Sequence, residues 1–251
     1  MLKWVADLHI HTLLSPCAAV EMTPRHIVLK AAAHGVNLIA ITDHNVSANV
    51  LPAVRLGQEH GVAVWPGMEV ETREGGHMVV LFDSLRKMLA FQKLLDENMS
   101  GLKNNPERFG GQFVVDENDR FVREEERLLL AAVNLDAGAL AAYAARLGGV
   151  CVASHIDRPA YSLLTYFGFI PPGLGLAAVE LSGAGLRAGG EQKYAALTGG
   201  LPCITNSDAH VMDDFLGGPK NHIYMKEPVI GEFKLALAAA GGRMVAAGKF
   251  L

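Results

Sequence analysis

The chain has 251 residues, half of them hydrophobic and 19% charged, enough for one large core. A formal net charge of −4 supplies no basic field for a long polyanion. The apolar runs fall short of a membrane span, and three cysteines without CxxC spacing fit neither a disulfide framework nor a zinc ribbon. A long nucleic acid and a membrane are therefore disfavoured as partners. A reducing, cytoplasmic location is expected, with no signal peptide ahead of a strand that begins near Trp4.

The opening run ends in Asp7-Leu8-His9-Ile10-His11. A strand alternates its faces with period 2, so Asp7, His9 and His11 project to one side and two imidazoles can grip one ion. Thr23-Pro24 reads as a cap with proline at the first helical position, and the helix runs to about His34, where Gly35 stops it. A strand over 37–43 leads into Asp43-His44, a helix over 48–59 is closed by Gly61, and a strand over 62–70 carries Glu69. Repeated βα order predicts parallel strands with crossover helices. Glu74-Gly75-Gly76 is a turn sequence, and a hairpin of 69–73 with 77–82 would bring His77 to the same end of the sheet.

Residues 84–99 predict an amphipathic helix. The polar stretch 101–127 carries a second hairpin, Gln112-Phe113-Val114-Val115 against Arg120-Phe121-Val122-Arg123. An insertion over about 84–130, forming a solvated lid or edge on a single-domain barrel, is expected. A helix over 136–146 leads to a strand over 150–154 that ends in His155. Further on come a strand at 177–181, a helix at 188–197, a strand at 203–207 ending in Asp208-Ala209-His210, and a last helix at 231–240.

Six histidines, His9, His11, His44, His77, His155 and His210, thus lie at the boundaries of apolar runs. Imidazoles with Glu69 and Asp208 form a mixed nitrogen and oxygen set that suits zinc, manganese or iron. The donors exceed what one tetrahedral ion uses, so two or three divalent ions sharing a carboxylate are expected. His26, His34, His60 and His222 lack this context and read as ordinary helix or loop residues.

In order along the chain stand Asp7-Leu8-His9-Ile10-His11-Thr12, Ile41-Thr42-Asp43-His44-Asn45, Pro66-Gly67-Met68-Glu69, Gly76-His77, Ser154-His155 and Ser207-Asp208-Ala209-His210. Together they resemble the motifs of the polymerase and histidinol phosphatase (PHP) family. The resemblance implies an α/β fold, a distorted (β/α)7 barrel with a trinuclear metal site at its rim. It implies one ion on His9, His11, Glu69 and Asp208, with Glu69 bridging to a second on His77 and His155, and a third on His44 and His210. Many relatives place His or Asp in the loop after the first strand. Here Ser15-Pro16-Cys17 stands there, leaving Cys17 either a thiolate ligand or an uninvolved loop residue.

Two ions a few Å apart turn water into a hydroxide nucleophile and neutralise phosphoryl oxygens. The expected activity is hydrolysis of a phosphate ester in a small phosphorylated metabolite, a nucleotide or a short oligonucleotide. Arg158, three residues after His155, could donate two hydrogen bonds to a phosphate or instead pair with Asp157, and Arg187 is a weaker second candidate. Asp43 could orient His44 or shuttle a proton, and Asp7 could orient an imidazole. Glu71 could substitute as a ligand. Two alternatives are an amidohydrolase-type metal hydrolase, which ordinarily needs a bridging lysine that no strand supplies, and a non-catalytic metal-binding scaffold. Nothing in these residues fixes the oligomeric state.

Overall fold

A computed structural model describes residues 1–249. Strand β1 (Leu2–Ile10) is wholly buried from Ala6 onward. Helix α1 (Pro24–Ala33) begins where Thr23 Oγ1 accepts a hydrogen bond from His26 N at 3.1 Å, the cap its sequence predicts. β2 (Leu38–Ile41), α2 (Val50–His60) and β3 (Ala63–Glu71) follow, and the three strands run parallel. Then β4 (His77–Leu81) returns antiparallel to β3, with Glu71 opposite His77, so the expected hairpin forms.

Next come α3 (Leu85–Asp96), the short α4 (Pro106–Phe109), and β5 (Phe113–Val115) paired with β6 (Phe121–Glu124). Then α5 (Ala137–Arg146), β7 (Val150–Ala153), α6 (Leu163–Phe167) and β8 (Ala178–Leu181) restore the alternation. The expected helix at 188–197 is instead α7 (Gly183–Arg187), α8 (Gly190–Tyr194) and a 3₁₀ turn, broken by Gly189 at φ 73°. The chain ends in β9 (Cys203–Thr205), α9 (Met212–Gly217), β10 (Lys220–Met225), α10 (Ile230–Leu237) and β11 (Met244–Lys249).

One sheet runs β11-β10-β1-β2-β3-β4-β7-β8-β9. Past β9 the chain comes back to β1, where Ile10 bridges Ala209 and His11 N donates to Ala209 O at 3.0 Å. Seven strands, β1 to β4 and β7 to β9, therefore nearly close into a distorted TIM-like barrel. β10 pairs with the opening half of β1, Leu2 to Ala6, and with β11, which in turn lies against β9. Neither β10 nor β11 was expected from the sequence.

Helix α3 buries Met88, Phe91 and Leu95 in the main core, with Phe91 5.6 Å from Phe82 and 6.0 Å from Tyr143 between ring centres. It thus belongs to the helical layer of the barrel. The β5–β6 hairpin is fastened to the loops that follow β1 and β2. Leu14, Val46, Val114 and Leu129 form a small separate core there. Asn49 Nδ2 donates to Phe113 O at 3.1 Å and its Oδ1 accepts from Val115 N at 3.1 Å. Asn45 Nδ2 donates to Leu129 O at 2.9 Å. The hairpin and the segment up to Leu129 thus brace the segments carrying Cys17 and His44.

Candidate metal centre

All eight predicted histidine and carboxylate ligands converge at the rim where the parallel strands end. The centre of the group is Glu69, 1% exposed, with five imidazoles around its two oxygens. Oε1 lies 3.2 Å from His9 Nε2, 3.1 Å from His77 Nδ1 and 3.2 Å from His155 Nε2. Oε2 lies 3.4 Å from His11 Nε2 and 3.2 Å from His44 Nδ1. The period-2 alternation of β1 aims His9 and His11 inward together. Their Nε2 atoms stand 3.3 Å apart, and each is 3.3 Å from Asp208 Oδ1.

These separations test whether the residues fit a cation. Ion-to-donor distances of about 2.0–2.1 Å in a tetrahedral site place neighbouring donors about 3.3 Å apart. The spacing among His9, His11, Glu69 and Asp208 matches. Asp208 Oδ1 is also buried without a hydrogen-bond partner among the described residues, as are the Nδ1 atoms of His77 and His155. Buried polar atoms left in that state are costly unless something satisfies them. Three overlapping groups could each hold an ion: His9, His11, Glu69 and Asp208; His44, Glu69 and His77; and His11, His44 and His210; His155, expected beside His77, meets Glu69 Oε1 at 3.2 Å but joins none of them. Cys17 Sγ stands 3.4 Å from His44 Nε2, beside the last of these groups.

Protein charges alone leave the cluster divided. Burial would raise the Glu69 carboxyl, but the neighbouring His77 and His9 hold it well below the usual carboxylate range. Burial opposes charge on His9 too, yet Glu180, Glu69 and Asp208 raise it well above the ordinary imidazole value. His44 is pushed well below that value by burial and by His11, and His210 is lowered to about 4 by the same two causes. Two members of the cluster, His155 at φ 26° and Asp208 at φ 51°, hold left-handed backbone that side chains rarely adopt. Such strain concentrates at functional sites.

Around the group lies a cavity of about 270 Å³ whose walls include Cys17, Glu71, Leu130, Arg158, Tyr161 and His210. Arg158, half exposed, places its guanidinium 2.6 Å from Asp208 Oδ2 and not on Asp157. Asp157 instead accepts from Ser182 N and Oγ. Glu71 Oε2 is 3.9 Å from His77 Nε2. Arg187 lines a neighbouring groove that shares Arg158 with this cavity.

The two aspartates read as helpers stand elsewhere. Asp43 is fully buried behind the site, accepting from Thr12 N and Oγ1 at 2.7 Å and from Ser15 Oγ at 2.8 Å. Because Ser15 Oγ is 2.9 Å from His11 Nδ1, Asp43 acts on His11 through Ser15. Among the described residues, no hydrogen bond or ion pair joins Asp7 to an imidazole. The aspartate lies one step deeper along β1, where its Oδ2 meets Lys220 Nζ at 3.0 Å and its Oδ1 accepts from Ser207 N. Orientation of His9 falls to Glu180, both of whose oxygens are 3.1 Å from His9 Nδ1. Asn206 Nδ2 donates to Glu180 Oε2 at 2.6 Å, completing a chain the sequence reading missed. Its signal was present: a glutamate in the middle of the buried strand Ala178-Val179-Glu180-Leu181 needs a partner.

The chain belongs to the PHP family: the profile of the PHP domain matches residues 7–166, more than half its length. An uncharacterized protein of Methanocaldococcus jannaschii is 39% identical over 80 residues, a match covering 28% of this chain and 46% of that protein. Among solved structures, the lesion-specific endonuclease Q of Pyrococcus furiosus superposes with a TM-score of 0.68 at 20% identity, over 97% of this chain and 58% of its own. Endonuclease Q in complex with a 27-mer duplex bearing an abasic lesion gives 0.67 at 19% identity, over 98% and 60%. A protein described as a metal-dependent phosphoesterase from Bifidobacterium adolescentis gives 0.56 at 20% identity, over 82% and 87%. These likenesses establish the fold. The chain spans less than half of the curated relative and about three fifths of endonuclease Q. No helix among the described residues is long and apolar enough to cross a membrane.

Proposed function

We propose that the chain is a metal-dependent phosphoesterase acting on a small phosphorylated metabolite, a nucleotide or the end of a short oligonucleotide. The observation that carries this reading is Glu69, one buried carboxylate within 3.4 Å of five imidazoles. So many basic donors on one acid make chemical sense when cations lie between them. His9, His11, Glu69 and Asp208 would hold one ion, Glu69, His77 and His155 a second, and His44 and His210 a third, with Cys17 beside it. Zinc, manganese and iron suit this donor set. When bound, such ions acidify water and neutralise charge gathering on phosphoryl oxygens.

The protein's own residues supply the rest. Arg158, tied to Asp208 by one nitrogen, keeps further N–H groups for a phosphate oxygen at the cavity mouth. Glu180 fixes the ring of His9, and Asp43 fixes that of His11 through Ser15, so both imidazoles meet a ligand already aimed. A cavity of about 270 Å³ and a net charge of −4 favour a small ester over a long duplex.

The test is a hydrolysis screen of metal-reconstituted protein against phosphorylated amino alcohols, nucleoside mono- and bisphosphates and short oligonucleotides, with bound metal counted by elemental analysis. His9→Ala should lower metal content and turnover together. If both stay unchanged, or if chelation leaves the wild-type rate intact, the reading is wrong.

A further inference from the structure

The loop after β7, residues 156–162, brings two side chains to the cavity, Arg158 and Tyr161. It is held firmly. Asp157 takes two hydrogen bonds from Ser182, Ser162 Oγ donates to Ile156 O at 3.0 Å, and Thr165 Oγ1 donates to Arg158 O at 3.1 Å. His77 N donates to Tyr161 O at 2.8 Å. At Gly76, beside this contact, any Cβ would run into Leu163, so the loop and the β3–β4 turn are closely packed.

Tyr161 is set there at φ 58°, a conformation in which a bulky residue is an outlier. Its ring lies over the His77 ring, 4.7 Å between centres and 28° between planes, yet the residue remains 55% exposed. Here one side shields a candidate ligand and the rest stands open at the mouth, where Leu130 adds another apolar wall.

Resting on the function proposed above, we infer that Tyr161 is a specificity residue, a stacking surface for a nucleobase attached to the phosphate that the metal centre and Arg158 hold. A nucleobase fits because a sugar separates it from the phosphate. That spacer lets the phosphate reach the carboxylate and imidazole floor while the base stays at the mouth. A sugar phosphate without a base leaves the tyrosine uncovered. Stacking tolerates every base, since each offers a flat face, so Tyr161 selects for a base and not among bases.

The test uses metal-loaded protein and two ligands that cannot be hydrolysed, the phosphonate analogues of AMP and of ribose 5-phosphate, compared by calorimetry. The AMP analogue should bind about tenfold tighter, within the range of one base–aromatic stack. Tyr161→Phe should keep that preference and Tyr161→Leu should abolish it, with metal content measured on each protein. A tetranucleotide carrying the same end group decides the source: tighter binding than the AMP analogue indicates an oligonucleotide end, equal or weaker binding a mononucleotide. Equal wild-type affinity for the two analogues would overturn the inference. So would Tyr161→Leu weakening both analogues alike or losing metal, which would make the ring only a cover for His77. Because the readout is binding, a protein that prefers the base but hydrolyses no ester would sink the proposed function and leave the stacking intact.

Discussion

Replacing Lys220 with methionine probes the layer beneath the metal centre. Lys220 and Asp7 are both fully buried, with Nζ 3.0 Å from Asp7 Oδ2. The same ammonium donates to Phe215 O at 2.6 Å and Gly218 O at 3.0 Å, while it faces Asp7 Oδ2 as an ion pair. A methionine side chain would fill a similar volume over the Phe215 ring but leave Asp7 charged, buried and held only by Ser207 N at 3.1 Å. Breaking a buried pair from one side costs about 3–5 kcal/mol, a large share of the roughly 5–15 kcal/mol that holds a domain folded. The double variant D7N/K220M removes the stranded charge while the introduced amide oxygen still accepts from Ser207 N, and it should recover about 2 kcal/mol relative to K220M. Urea titration of metal-free protein gives both numbers. A loss below about 1 kcal/mol for K220M, or a double variant no more stable than K220M, would refute the reasoning.

Other perturbations follow from the same geometry. Glu180→Gln keeps the shape but removes the charge that faces His9 Nδ1, and should weaken metal binding about 10- to 100-fold in a competition titration. Asn206→Ala removes bonds to Leu8 N at 2.7 Å, Asn221 Nδ2 at 3.0 Å and Glu180 Oε2 at 2.6 Å, so metal-free stability should drop by about 2–4 kcal/mol in denaturant titration. Glu125, bonded by Arg127 and Arg123, sits at about 2 because those bonds outweigh its burial. A depressed carboxyl stabilises the fold above its ordinary value near 4.5 and loses that effect as pH falls toward 2. Screening at the part-exposed arginines reduces the contribution to about 1–2 kcal/mol. Glu125→Gln should therefore flatten the fall in melting temperature between about pH 5 and 2, and an unchanged slope would count against it.

The residues that cluster at the rim could be read from the sequence because they obey local rules. His9 and His11 share a face through strand alternation, and Glu69, His155 and Asp208 follow short apolar runs that end at one rim. His77 fitted once Gly75-Gly76 was read as a turn. What stayed hidden depends on long-range pairing. Asp7 has the same parity as His9, but depth along the barrel decides its partner, and that partner, Lys220, lies near the other end of the chain on a strand the pattern did not reveal. β10 escaped notice because Lys220, Asn221 and His222 look like a polar loop, though all three are buried. Periodicity cannot register a polar residue whose partners come from elsewhere in the chain. The same blindness applied to Glu180 and Asn206, and to Tyr161, whose left-handed backbone no neighbouring glycine announced.

Barrel closure and site assembly are accomplished by the same hydrogen bonds. After β9 the chain must leave the sheet, turn through Asp208 in a left-handed conformation, and still reach β1. Asn206 makes that join, since its Oδ1 takes Leu8 N from β1 while its Nδ2 holds Glu180, which holds His9. Ser207 N on Asp7 and Lys220 on Gly218 O then fix both flanks of the Asp208–His210 segment. The clustered side chains on β1, on β3 and on the return from β9 therefore cannot move apart without opening the barrel seam. Metal binding should close that seam further, so the stability gained from added ion and the protection of the Leu8 and His11 amides from hydrogen exchange ought to rise together.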